Sequence, residues 1–139
     1  SRLSRICRIG YIVVMYHLLL VAAGGAIGAS MRHLVNFAAL RLIPSTLPLG
    51  TLMINIIGSF AMGVFIEILV RRLGSSNELR LFVATGVLGG FTTFSAFSLD
   101  FAILWEKGAP QWAFAYLFFS VTGAILALFL GLWVARSFG

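Results

Sequence analysis

The residues with the most unusual chemistry in this sequence form one short stretch, GGFTTFSAFSLD, from Gly89 to Asp100. It combines two adjacent glycines, four hydroxyl side chains, three phenylalanines and a closing carboxylate inside an otherwise apolar run. Hydroxyl groups donate hydrogen bonds, and the electropositive edges of aromatic rings can face an anion without a buried cation. The rings of this stretch can therefore face an anion. The ordinary alternative is that the hydroxyls bond to their own helix and the rings pack against lipid or protein.

Further polar side chains stand one helical turn apart in two other apolar runs. Thr51 and Asn55 share one helix face, and Tyr116 and Ser120 share another. Asn55 either donates its amide into a wet cavity or bonds to a neighbouring helix, and the two hydroxyls on the last run either continue a polar file or bond to backbone groups. No His, Cys or carboxylate stands beside the hydroxyl cluster to act as its base, so the sequence predicts no enzyme.

Charged side chains stand near the ends of the apolar runs. Arg32 either snorkels to the membrane interface or lends positive potential to a vestibule that gathers anions. Asp100 either lines a pore mouth or is simply capped or solvated. Glu67 precedes Arg71 by one helical turn, which predicts an ion pair at a helix end.

Four apolar runs must position these residues. Of the 139 residues, 60% are hydrophobic and 10% charged, and the mean hydropathy is +1.05, which is more apolar surface than a soluble domain of this size can bury. At about 1.5 Å rise per residue, each run can cross a hydrocarbon core of roughly 30 Å. The sequence therefore predicts an all-α integral membrane protein with four transmembrane helices. The runs cover residues 9–31, 42–66, 81–99 and 108–135.

The pair Gly89 and Gly90 lies in the middle of the third run. Glycine is weak in helices, and Thr and Ser can satisfy freed carbonyls, so the pair predicts a third helix that breaks at this point. A close helix contact between small residues explains the same pair equally well. Other glycines also predict that the helices approach closely, among them Gly24, Gly28, Gly63 and Gly123.

The formal net charge is +6, but the basic residues flank the apolar runs instead of forming a patch. This pattern is typical of membrane anchors and excludes nucleic acid as the expected partner. With four helices, the side that holds the termini carries Arg71, Arg72, Arg80 and Arg136, and the other side carries Arg32, Arg41 and Lys107. Such a near balance fits two interpretations. Either every copy has the same orientation in the membrane with only a weak charge bias, or copies insert in both orientations and pair antiparallel.

Residues 1–14 are interpreted as an N-terminal extension before Met15, and residues 15–139 as a single membrane domain. The arginines of this extension would shift the balance of positive charge toward the side that holds the termini. A basic start before an apolar run also fits a signal peptide, although its removal would take away most of the first span.

One cysteine and two histidines without close spacing exclude an internal disulfide and make a transition-metal site unexpected.

On these motifs the chain resembles the Fluc-type (CrcB) fluoride channels, over Met15 to Arg136. The stretch GGFTTFSAFSLD is similar to that family's pattern G-G-x-T-T-F-S-T-F-S-x-E, supported by GTLMIN at residues 50–55 and by the spacing of Gly28 and Arg32. Three departures stand out: we expect the first two to alter conductance without abolishing function, and the third leaves the outer end of the implied polar track open. Ala96 replaces a threonine, Asp100 replaces a glutamate, and Ala124 lacks a hydroxyl often found there.

The resemblance implies an antiparallel, dual-topology homodimer with two pores, which passively exports toxic fluoride across the bacterial cytoplasmic (inner) membrane. It also implies a third helix broken at Gly89-Gly90, where the carbonyls of Gly89 and Thr92 from both subunits hold one structural Na+ at the dimer centre. In the implied pore, ring edges and the Asn55 amide coordinate fluoride. The implied pore residues are Asn55, Phe94, Phe97, Ser95, Thr51, Tyr116 and Ser120, with Arg32 and Asp100 in the vestibule.

Two other classes of protein compete with the channel. A small dual-topology, proton-coupled multidrug exporter needs a titratable carboxylate deep in its first span, and residues 9–31 contain none. A non-transporting membrane scaffold would use the phenylalanines for packing only. Replacement of Phe94 separates the channel from the scaffold. A channel should lose anion flux while it still assembles, whereas a scaffold should lose assembly first.

Overall fold

The computed structural model describes residues 1–138. Within them, four helical segments are long and apolar enough to cross a membrane, which confirms the all-α fold with four candidate spans. The first span is α1, Arg2–Leu42, the second is α2, Leu49–Arg71, and the fourth is α6, Pro110–Ser137. The third span, Asn77–Glu106, consists of several pieces.

The pieces of the third span follow one another almost without a gap. They are α3, Asn77–Leu79, a π-helical segment, Arg80–Leu88, α4, Gly89–Phe91, and α5, Ser95–Glu106. Thr92 leaves the helix with an extended backbone at φ −77° and ψ 158°. The interruption of the helix therefore lies between α4 and α5, in the middle of the apolar run.

The expected break at Gly89-Gly90 is wrong in position, because both glycines lie inside α4. A methyl group on Gly90 would lie 2.8 Å from the carbonyl oxygen of Gly25 on α1. The second explanation of the pair, a close contact between small residues, is therefore the one that applies to Gly90. The interruption falls at Thr92–Phe94, where a side chain from α2 competes for the backbone hydrogen bonds.

The first and third spans pack backbone against backbone. A methyl group on Gly28 would overlap the carbonyl oxygen of Val87 and would come within 2.8 Å of the amide nitrogen of Phe91. One turn earlier, Gly24 faces Gly86 in the same way. Because no side chain separates the two spans, the third span is held firmly at the point where its helix is about to end.

The second and fourth spans run parallel to each other. Ile56 packs beside Gly123, and further along both helices Gly63 lies against the backbone of Leu128. The two contacts follow one another in the same order along α2 and along α6, so the two helices are parallel and in a defined register. Most large side chains of the bundle remain exposed, as expected for helices that face lipid.

At one end of this helix pair, Glu67 is buried and forms ion pairs with Arg71 and with Arg136, the latter at 3.2 Å. The ion pair predicted between Glu67 and Arg71 is confirmed. The additional partner on α6 ties the two parallel helices together where they reach the membrane boundary.

Residues 2–14 are helical and continuous with the rest of α1, and the side chains of residues 1–14 are exposed. The helix contains 41 residues, which at about 1.5 Å per residue is about twice the length that a hydrocarbon core requires. A large part of α1 therefore extends beyond the membrane core.

Candidate ion pathway

A groove with a volume of about 360 Å³ runs along the bundle beside the interruption of the third span. It lies between α2, α5 and α6, and polar side chains reach it from three directions. Its polar lining consists of Asn55, Ser59, Thr92, Thr93 and Ser120. The remaining lining is Gly58, Met62, Phe94, Phe97, Val121, Ala124 and Leu128.

Asn55 is joined to the interruption by two hydrogen bonds. Its Nδ2 donates to the carbonyl oxygen of Thr93 at 2.9 Å, and the backbone N–H of Thr93 donates to Oδ1 of Asn55, also at 2.9 Å. The amide therefore bonds to a neighbouring span, as one of the two sequence interpretations proposed. Since a side-chain amide has two N–H groups, one of them stays available toward the groove.

The interruption separates the backbone carbonyls of residues 89–92 from their usual helical donors, and for two of them that donor bonds to a side chain instead. In a continuous helix, Gly89 would accept a hydrogen bond from the N–H of Thr93, and Thr92 would accept one from Ala96. Instead, Thr93 N–H donates to Asn55, and Ala96 N–H donates to Oγ1 of Thr93 at 3.2 Å. The carbonyl oxygens of Gly89 and Thr92 are free of these bonds, so they can face another electropositive partner.

The three phenylalanines of the stretch do not form the single helical stripe that their spacing predicted. Phe91 and Phe97 are buried, whereas Phe94 is 77% exposed. The stripe fails because Phe94 lies in the interruption, where the helical periodicity is lost. The rings of Phe94 and Phe97 remain neighbours, with centroids 5.6 Å apart and planes inclined at 46°, so one exposed and one buried ring line the groove together.

A second groove, of about 330 Å³, contains Thr51, Ala96 and Asp100. The hydroxyl of Tyr116 donates to Oδ2 of Asp100 at 3.1 Å, and the Tyr116 ring lies 5.3 Å from that of Phe97. Asp100 is therefore bonded to α6 and is not freely solvated. Tyr116 connects the carboxylate of the second groove with the aromatic side of the first.

Ser120 is 5% exposed, and its hydroxyl has no hydrogen-bond partner within the described residues. An unsatisfied buried hydroxyl is costly, and this one lines the first groove. The arrangement leaves a donor available to whatever enters the groove.

The predicted site residues fall into three sets in the structure. The first groove brings together Asn55, Phe94, Phe97 and Ser120, and the second contains Thr51 and Asp100 beside Tyr116. Two residues do not line either groove: Ser95 is exposed at the start of α5, and Arg32 is half-buried on α1.

Sequence reasoning missed Ser59, which lines the first groove. The signal was present, because Ser59 follows Asn55 by the same four residues that separate Thr51 from Asn55. Extending that helix face by one turn would have included it.

The fold and the grooves define a small multi-pass membrane protein with a polar pathway between its helices. Within residues 1–138, no group of three or more His, Cys, Asp and Glu side chains is gathered to hold a metal ion. The chain belongs to the CrcB-like family, described as CrcB-like protein, Camphor Resistance (CrcB), whose match covers residues 19–132. The resemblance inferred from the motifs is thereby confirmed.

Three similar proteins carry the name fluoride-specific ion channel FluC. The protein of Mesorhizobium japonicum is 68% identical over 123 residues, and that of Chelativorans sp. is 62% identical over the same length. The protein of Agrobacterium fabrum is 49% identical over 123 residues. In each case the match covers 88% of this chain and 98% of the relative. The name is that of a channel and not of an enzyme, in agreement with the expectation from the sequence.

Proposed function

We propose that this protein is a fluoride-selective ion channel through which cytoplasmic fluoride leaves the cell passively, down its electrochemical gradient. The observation that carries the proposal is one groove that combines an exposed Phe94 ring, the amide of Asn55 and the unpartnered hydroxyl of Ser120. The name of the relatives, fluoride-specific ion channel, supports the choice of ion.

The proposed pathway replaces the water around fluoride with weak donors. A dehydrated anion inside a membrane needs such donors, and it must also be held loosely enough to leave. The free N–H of Asn55, the Ser120 hydroxyl and the ring edges of Phe94 and Phe97 meet both needs, because none of them is a cation. Small size and high charge density favour fluoride over larger halides at hydroxyl and amide groups.

The second groove is the proposed vestibule. Thr51 and Tyr116 continue the hydroxyl file toward Asp100, which holds the Tyr116 hydroxyl in place. Ser95 and Arg32 complete the proposed set, with Ser95 as an exposed hydroxyl beside the interruption and Arg32 as a source of positive potential near the entrance.

The driving force needs no chemical fuel. One elementary charge gains about 2.3 kcal/mol per 100 mV of membrane potential, so an inside-negative potential lowers internal fluoride by about one to two orders of magnitude. The proposed location is the bacterial cytoplasmic (inner) membrane.

We infer that the working unit is an antiparallel homodimer of dual topology. Four basic residues on one side against three on the other support insertion in both orientations, if residues 1–14 are left out of the count. The large exposed fraction of Phe94 and the open side of the first groove leave room for a second copy to complete the wall. Cysteine crosslinking that yields only parallel pairs would overturn this assembly.

A structural Na+ at the dimer centre fits the donor set. The carbonyls of Gly89 and Thr92, separated from their helical partners, would supply two oxygens from each copy, and such oxygens suit a hard alkali cation. The ion would supply a fixed positive charge that holds the two interruptions together.

The competing classes are less well supported. The chain has no Asp or Glu before Glu67, and that residue is engaged by two arginines, so the first two spans offer no free carboxylate to a proton-coupled exporter. A non-transporting scaffold gives no reason for the buried Ser120 hydroxyl to lack a hydrogen-bond partner.

The test is fluoride efflux from liposomes that contain the purified protein, measured with a fluoride electrode after a K+ ionophore is added. Fast fluoride efflux without chloride efflux, abolished in Asn55→Asp and Phe94→Ile, is the expected result. Well-folded protein that releases no fluoride would reject the channel and reopen the exporter and scaffold hypotheses.

A further inference from the structure

Ser59 on α2 carries a hydroxyl that the fold does not use. Several membrane-embedded hydroxyls donate to a carbonyl four residues earlier, as Ser30 does to Ala26 at 2.6 Å and Ser98 does to Phe94 at 3.0 Å. Ser59 is half-buried, lines the first groove and makes no such bond within residues 1–138. Its donor is therefore available to an occupant of the groove.

The register of the two parallel helices gives the depth of Ser59 in the bundle. Ile56 packs beside Gly123, and Gly63 packs against Leu128. Gly131 also lies against the backbone of Phe60, the residue after Ser59. Ser59 therefore lies beside the part of α6 that approaches Leu128, about one turn beyond Ala124.

On α6, the polar side chains of the groove end at Ser120, before the level of Ser59 is reached. Ser120, Ala124 and Leu128 are one turn apart and line the groove, and the second and third of them carry no donor. Val121 and Met62 are the neighbouring side chains, and they are apolar as well. An anion that has given up its water would meet an apolar stretch beyond Ser120, which is a barrier to its passage.

We propose that Ser59 is a further pathway residue, whose hydroxyl donates to fluoride beyond Ala124, near the level of Leu128, and so continues the polar file on α2 where α6 offers no donor. The inference rests on the proposed channel function. Asn55 and Ser59 then form a continuous donor edge on α2, which extends past Ser120 into the stretch of the groove where Ala124 and Leu128 carry no hydroxyl.

The experiment compares fluoride efflux from liposomes containing the full chain or its variants. Loss of one hydrogen bond to a charged group slows passage by about tenfold, so Ser59→Ala is expected to slow efflux by that factor. Ser59→Thr should keep most of the wild-type rate. In the double variant Ser59→Ala with Ala124→Ser, a hydroxyl returns from α6 to the same apolar stretch of the groove, and much of the rate should return with it.

Ser30→Ala is the matched control, because it removes a serine hydroxyl that bonds only to its own helix on the exposed side of α1. It should leave efflux unchanged. Size-exclusion profiles of every variant establish that each is folded and assembled like the wild type.

Wild-type efflux in Ser59→Ala would overturn the inference while the channel itself stands. A slow Ser59→Ala that neither Ser59→Thr nor Ala124→Ser restores would indicate a packing defect and would overturn it too. Absence of fluoride efflux from the well-folded wild type would instead reject the proposed function, and this inference with it.

Discussion

The side-chain amide of Asn55 and the backbone of Thr93 close a two-point hydrogen-bonded pair, with both donor–acceptor distances at 2.9 Å. The two residues are 38 positions apart in the chain. The pair satisfies one N–H and one C=O that the interruption removes from the helical pattern, which a membrane interior requires. The same contact aims a polar amide at the groove, so one side chain both stabilises the interruption and contributes to the pathway.

Asn55→Asp should destabilise the fold and abolish flux. The substitution replaces the Nδ2 donor by a carboxylate oxygen beside the Thr93 carbonyl, and loss of such a buried bond costs about 1–3 kcal/mol before repulsion is added. Thermal unfolding in detergent, followed together with efflux, measures both effects. Asn77→Asp, at the exposed first residue of α3, is the control. Equal stability of the two variants would contradict the proposed importance of this pair.

Phe94→Ile should reduce fluoride efflux at least about tenfold and leave assembly intact. The ring is 77% exposed, so its removal opens no cavity in the core, while the groove loses an electropositive ring edge. Phe119→Ile is a matched control, since this ring is 63% exposed on α6 and does not line the groove. Liposome efflux distinguishes the two variants. If both slowed efflux equally, the effect would arise from the lipid-facing surface and not from the groove.

Gly28→Ala should prevent the first and third spans from packing. A methyl group at Gly28 meets the backbone of Val87 and Phe91, which cannot move aside as a flexible side chain could. Overpacking of this kind costs about 1–3 kcal/mol or more. Gly25→Ala is the control from the same helix, because a methyl group there meets nothing within 4 Å. Monodisperse protein yield after detergent extraction is the measurement, and equal yields would refute the close packing of these spans.

Glu67→Gln should lower the thermal stability of the bundle. The substitution removes the charge that engages Arg71 on α2 and Arg136 on α6, and it leaves two arginines close together. Glu78→Gln removes an exposed carboxylate in α3, at the start of the third span, and serves as the control. The unfolding midpoint in low salt should fall more for Glu67→Gln, and high salt should narrow the difference between the two variants. A difference that salt does not change would mean that the ion pairs do not stabilise the helix pair.

The sequence by itself determined the features that depend on local composition. Hydropathy fixed the four spans, because each needs only about 20 consecutive apolar residues, and helical spacing predicted the ion pair of Glu67 with Arg71. Motif spacing was sufficient to indicate the family. All of these signals are contained within one turn, one span or one short pattern of residues.

Only the tertiary structure decided where the third span is interrupted and which side chains face the groove. The glycine pair suggested a break at Gly89-Gly90, but the helix continues through it and ends where Asn55, from another span, takes the N–H of Thr93. The same packing separates exposed Phe94 from buried Phe97 and brings Ser59 and Ala124 into the lining of one groove. No local pattern contains this information, because it depends on competition for backbone hydrogen bonds between residues far apart in the chain.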